Sequence, residues 1–292
     1  MSNATNDERH AVEQIVATKA YVNNPELLPW YTKDLEEPKP DVKALFQNYS
    51  NIPEIEVVTH IKKIRDEAFK VFPYPCLGNW GFLNFSIQAN PAYDEVLDRV
   101  KNGEYFLDLG CCMGQDIRKL VNDGAVSENT YASDVTKNFW DPYGYDLFCD
   151  RDTLKTRFVQ ADIFDEGSEL KALDGKIDIV NAASFFHLFD WDGQVKAAKR
   201  VVDLLKPSSG SLILGRQGGK PEAGSFAHVM KDLTAWWHNP ESWARMWKQV
   251  GEETDTEWEV QSVLGEEDLT KRMKTNLVPA GTGFMTFTVR RL

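Results

Sequence analysis

The stretch Glu104-Tyr105-Phe106-Leu107-Asp108-Leu109-Gly110-Cys111-Cys112-Met113-Gly114 carries an apolar run into a glycine-bounded turn, and Gln115-Asp116-Ile117-Arg118-Lys119-Leu120-Val121 then takes up helical spacing. A short apolar run that stops at glycine and re-enters as a helix reads as a buried strand, a tight turn and the next helix of an α/β layer. Gly110 allows the turn to close, and Gly114 allows the helix to start close to a ligand. This segment predicts a binding turn at the end of a first strand.

Further strands are expected at residues 130–134, 157–160, 176–182, 211–214, 257–263 and 284–289. Helix-length segments separate those up to residue 214, which implies a mainly parallel sheet. Upstream, helical spacing appears at 10–22, 41–49 and 57–72, with Glu36-Glu37-Pro38-Lys39-Pro40 as a connector. The segment 72–85, rich in proline, glycine and aromatics, predicts an ordered, partly buried loop. Residues 1–100 are therefore expected to form a helical N-terminal extension or cap, and 101–292 the sheet-bearing domain. The insert 220–251 holds Phe226, Met230, Trp236, Trp237, Trp243, Met246 and Trp247. It is expected to be an amphipathic helix pair, either closing the core or forming a lid over an apolar substrate.

Composition narrows the function. The 292 residues carry a formal charge of −12, which opposes broad attraction to phosphate backbones, so no nucleic-acid partner is expected. The first residues lack a basic and then apolar signal, and nothing approaches the ~18 apolar residues of a membrane span. A cytoplasmic protein is expected, with a homodimer possible. The four cysteines, with Cys111 and Cys112 adjacent, suit reduced thiols better than a disulfide framework or a metal site, and no metal is expected.

The turn departs from a dinucleotide fingerprint. Its glycines stand four apart rather than in GxGxxG, and Asp108 sits two residues before the first. A carboxylate there repels a pyrophosphate but suits the cationic amino group of a methionine moiety; the alternative is a structural acid capping the turn. Asp134, 26 positions after Asp108, is placed to accept from ribose hydroxyls, with Val135 beside it. Asp162-Ile163 follows the third strand, where the acid can accept from an adenine amine and the next N–H can face a ring nitrogen. A single strand-end acid is weak evidence; three at successive strand ends point to a nucleoside with a cationic tail.

With these residues in view, the chain resembles the class I, Rossmann-like S-adenosylmethionine (SAM) methyltransferases: the turn 108–114, the ribose acid Asp134 and the adenine pair Asp162-Ile163. The resemblance covers residues 101–292. It implies SAM as cofactor, a seven-stranded sheet of order 3-2-1-4-5-7-6 with an antiparallel last strand and helices on both faces, and contacts from Asn181 where the fourth strand borders the methyl donor. Cys112 stands where the family usually has glycine. Tyr74-Pro75-Cys76, Phe82-Leu83, the run 143–148 and Gly215-Arg216-Gln217 further resemble fungal secondary-metabolism methyltransferases, especially those making meroterpenoids. That resemblance implies an O-methyltransferase acting on a small lipophilic acceptor, with carboxyl methylation the leading expectation.

A carboxylate acceptor is already ionised and needs orientation, for which Arg216 is the candidate, or else a surface arginine bonded to a loop carbonyl. A phenol needs a base, for which His187 is the candidate, or else a structural histidine. His228 and His238 are weaker candidates, and Trp80 and Trp237 are candidate pocket walls. Two other readings remain open: a nicotinamide oxidoreductase, which would require the absent GxGxxG, and a catalytically silent methyltransferase-like binding subunit.

Overall fold

The computed structural model describes residues 3–227, 233–266, 269, 277–278 and 280–292. Its helices are α1 (Asn3–Ala17), α2 (Pro40–Asn48), α3 (Glu54–Val71), the single turn α4 (Pro75–Gly78), α5 (Tyr93–Lys101), α6 (Gln115–Asn122), the short α7 (Tyr145–Phe148), α8 (Trp191–Leu204) and α9 (Pro240–Thr254). Its strands are β1 (Phe106–Leu109), β2 (Thr130–Asp134), β3 (Arg157–Gln160), β4 (Ile179–Asn181), β5 (Leu212–Gly219), β6 (Gly224–Ala227), β7 (Thr234–Trp237), β8 (Trp258–Leu264) and β9 (Gly283–Arg291). Among the described residues, no helix is long and apolar enough to cross a membrane.

Seven strands form one sheet in the order β3-β2-β1-β4-β5-β9-β8, which is the expected 3-2-1-4-5-7-6 counted within the sheet. Pairings from β3 across to β5 are parallel, and β9 runs antiparallel to both β5 and β8. Parallel strands covered on both faces must be apolar on both. Accordingly, Phe106, Ile179, Leu212 and Leu214 pack with α5 and α6, while Leu107, Val180, Ile213 and Phe287 pack with α8 and α9.

Two expectations are corrected. β5 runs through Gly219 instead of stopping at Leu214, because Gly215-Arg216-Gln217-Gly218-Gly219 pairs residue by residue with β9 although its side chains lack an apolar pattern. The insert is not a helix pair. It opens as the antiparallel hairpin β6–β7, with Phe226 against Trp237 at a ring separation of 4.3 Å, and only then becomes α9. Thr234-Ala235-Trp236-Trp237 satisfies strand alternation, and Asn239-Pro240 starts the helix through a capping box with Ser242.

The N-terminal region is helical as expected, and segment 72–85 is ordered by two short helical turns. α5 packs through Val96 and Val100 with Phe106, so the sheet's own helical layer begins at Tyr93. The cap's core, including Leu45, Phe46, Phe69, Phe82 and Phe85, is continuous with Met113 of the turn and with Phe226 and Trp237 of the hairpin. Inside the cap, buried Arg65 donates to the carbonyls of Thr32 and Gly78 at 3.1 and 3.2 Å. A Cβ on Gly78 would stand 2.7 Å from Trp30 Cδ1. Gly78→Ala is therefore expected to lower stability by about 1–3 kcal/mol through overpacking, measured as a shift in the urea midpoint.

Candidate active site

The turn after β1 is built by backbone bonding to β2. The N–H groups of Gly110 and Cys111 both donate to Ser133 O, at 2.8 and 3.1 Å. Gly110, Cys112 and Gly114 take φ of 72°, 49° and 67°. Cys112 thus keeps the left-handed backbone that the resembling family supplies with glycine. Left-handed geometry costs a non-glycine residue about 1–2 kcal/mol, which its N–H offsets by donating to the Asp134 carboxylate at 3.0 Å. Gly114 is needed for a reason other than ligand approach: a Cβ there would run into the Trp140 ring and the Arg118 guanidinium beneath the turn.

Strand order β3-β2-β1 brings the three acids to neighbouring strand ends. Asp108 is nearly buried, is the register partner of Asn181 on β4, and accepts from Asn181 Nδ2 at 2.8 Å. Asp134 accepts from Cys112 and, through its other oxygen, from Thr136 N at 3.2 Å. Asp162 is exposed and accepts from Phe164 N at 2.9 Å, with Ile163 buried behind it and Val135 exposed beyond β2. Burial, aided by the charge of Asp116, holds the Asp108 carboxyl well above the usual carboxylate range, and burial also raises Asp134. Asp116, in the first turn of α6, is raised by burial as well and accepts from Ser86 Oγ at 2.6 Å.

The cap reaches this turn. Cys76 of the cap neighbours Cys112 of the turn, and the interaction of the two thiols lowers the pKa of Cys76 and, together with burial, raises that of Cys112. Burial, and then the charge of Asp134, push the Tyr74 phenol up.

The remaining candidates separate. His187, half-buried just after β4, meets Trp237 edge to face at 6.0 Å. Arg216 lies over Phe284 at 3.9 Å and lines a cleft of about 420 Å³ with Leu83, Asn84, Phe85 and Gln88. Trp80 packs within the cap: Arg65 covers its ring at 3.5 Å and its indole N–H donates to Asp34 O at 3.1 Å. His238 is fully buried, bonded to Ser242 Oγ at 2.9 Å and Gln194 at 3.2 Å, and burial pushes its pKa down to about 3, so it is a neutral structural group. His228 lies outside the described residues.

Residues 30–83 match the family described as "Meroterpenoid methyltransferase N-terminal domain". The O-methyltransferase phiE of a fungal species is 47% identical over 79% of this chain and 78% of its own length. The Asnovolin E/Chermesin D methyltransferase nvfJ of Aspergillus novofumigatus is 45% identical, over 73% and 76%. The chain belongs to the fungal secondary-metabolite methyltransferases. A third member, the methyltransferase adrK of Penicillium roqueforti, is 40% identical over 83% of this chain and 87% of its own.

In this methyltransferase, sequence reading missed Asp116, Ser86 and the buried pair of Arg118 with Asp150, because each depends on partners distant in the chain. The raised carboxyls yield a stability prediction. A carboxyl with a raised folded-state pKa binds its proton in the folded chain and loses it in the unfolded one, so stability falls as pH rises above the ordinary value of about 4. Asp108→Asn, which mimics the neutral carboxyl, is expected to flatten that decline in urea melts between about pH 4.5 and 8.

Proposed function

We propose that this enzyme transfers a methyl group from SAM to a carboxylate oxygen of a small lipophilic metabolite. The donor set supports the cofactor: Asp108, Asp134 and Asp162 at adjacent strand ends suit a cationic amino group, a ribose diol and an adenine amine. The bound sulfonium supplies an electrophilic methyl carbon with a neutral thioether as leaving group. The names O-methyltransferase and "Meroterpenoid methyltransferase N-terminal domain" among the relatives favour an oxygen of an apolar acceptor.

The observation that carries the carboxylate reading is Arg216. The β9 pairing holds it on a rigid strand, in a cleft walled by Leu83 and Phe85, and its charge reaches Asp116 at the start of α6. A guanidinium can hold a carboxylate by two parallel hydrogen bonds and turn one oxygen toward the methyl carbon. The cleft mixes the apolar Leu83 and Phe85 with the polar Lys39, Asp41, Asn84 and Gln88; an ionised carboxylate needs no base, so alignment by Arg216 carries the catalysis. His187 beside Trp237 favours the second reading, a phenol deprotonated by imidazole.

Incubation with methyl-labelled SAM and a panel of lipophilic acids and phenols separates them. The carboxylate reading expects a base-labile product, an acceptor KM raised about tenfold by Arg216→Lys, and kcat within about threefold for His187→Ala. A base-stable ether abolished by His187→Ala would establish the phenol reading instead, and donor binding without any product would indicate a binding subunit. Calorimetry adds an independent check on the cofactor. A cation drawn to Asp108 lowers its pKa, so SAM binding is expected to release protons and to show heats that vary with buffer ionisation enthalpy. Absence of binding would overturn the cofactor assignment.

A further inference from the structure

Arg118 of α6 is fully buried, where a guanidinium persists only if its donors are used. Nε and Nη2 reach the two oxygens of Asp150 at 2.9 and 3.1 Å. Nη1 donates to Met113 O at 2.8 Å and to Gly114 O at 3.4 Å, both carbonyls of the cofactor turn. The rings of Trp140 and Phe148 lie 4.3 and 5.1 Å from the guanidinium carbon. Gly144 closes this packing, since a Cβ there would be 2.8 Å from the Met113 carbonyl oxygen. The run 143–148 is thus the backing of the turn. From the cap, the hydroxyl of Tyr49 beside α2 donates to Asp150 Oδ2 at 2.8 Å.

Replacing a buried ion pair by apolar side chains is often neutral for stability, so the pair itself is a weak reason for keeping Arg118. Its third set of donors does something an apolar residue cannot. In a trans peptide the carbonyl and the following N–H point in opposite directions. Holding the Met113 and Gly114 carbonyls from one side therefore sets the direction of the Gly114 and Gln115 N–H groups. The first closes the turn on Cys111 O at 2.7 Å. The second stands at the N-terminus of α6, where backbone donors lack intrahelical partners and can serve a ligand.

We propose that Arg118 is a positioning residue for the methyl donor, and that Tyr49, through Asp150, makes its setting depend on the docked cap. The proposal rests on the reading that the turn 108–114 holds SAM. It implies that the cap shapes the donor site as well as the acceptor site.

The test uses the full chain and S-adenosylhomocysteine as probe, with calorimetric affinity, separate donor and acceptor KM values and thermal melting as readouts. Arg118→Lys can reach the carboxylate or the turn carbonyls but not both, and is expected to weaken probe affinity and raise donor KM about tenfold. Tyr49→Phe leaves the ion pair intact and is expected to do the same by about threefold, with kcat at saturating donor and acceptor KM within about twofold of wild type. If Arg118→Lys does not fold, Tyr49→Phe decides alone. A lower melting temperature with unchanged probe affinity would mean a purely structural role and would overturn the proposal, as would a rise in acceptor KM alone. No probe binding by wild type would overturn the cofactor reading and this proposal together; wild-type binding with unaffected variants overturns this one only.

Discussion

Parallel pairing of β1 with β2 on one side and β4 on the other forces the chain to leave β1 at the point where strand order reverses. At such a point the helices on either side diverge and a crevice opens beyond the carboxyl ends of the strands. Everything attributed to the cofactor site follows from that placement. Asp108 meets Asn181 because they are register partners, Asp134 meets the turn because β2 lies alongside, and the Ser133 carbonyl ties Gly110 and Cys111 to that neighbour. The turn's unusual backbone is thus held by its surroundings, and a cysteine survives where glycine is the easier choice.

The second constraint is the absence of a boundary between cap and sheet domain at the site. One apolar cluster runs from the cap helices through Met113 to the hairpin β6–β7, and polar links accompany it: Tyr49 to Asp150 and Ser86 to Asp116. Where this wall meets the extended part of β5, Arg216 lines a cleft with Leu83, Phe85, Asn84 and Gln88. The electrostatics agree with a cationic donor tail. Asp108, Asp116 and Asp134 are all raised by burial in the chain by itself, and a positive group brought among them relieves that cost.

By itself the sequence determined the sheet, its strand order by resemblance, the glycine turn after β1 and the placing of three acids at neighbouring strand ends, because these lie in local signals: apolar runs, glycine turns and acids at strand ends. It also marked the cap as helical. It misjudged the insert because aromatic residues at strand alternation and at helix spacing look alike over a few positions, and the β6–β7 pairing, with the diagonal ring contact of Phe226 and Trp237, decided between them. It ended β5 early because pairing with β9, not apolar pattern, carries the strand onward. Only the tertiary structure assigned His238 to the core, Trp80 to the inside of the cap and Arg118 to the back of the turn. Those roles are contacts between residues far apart in the chain, and burial that changes a charge's cost is a property of the packed whole.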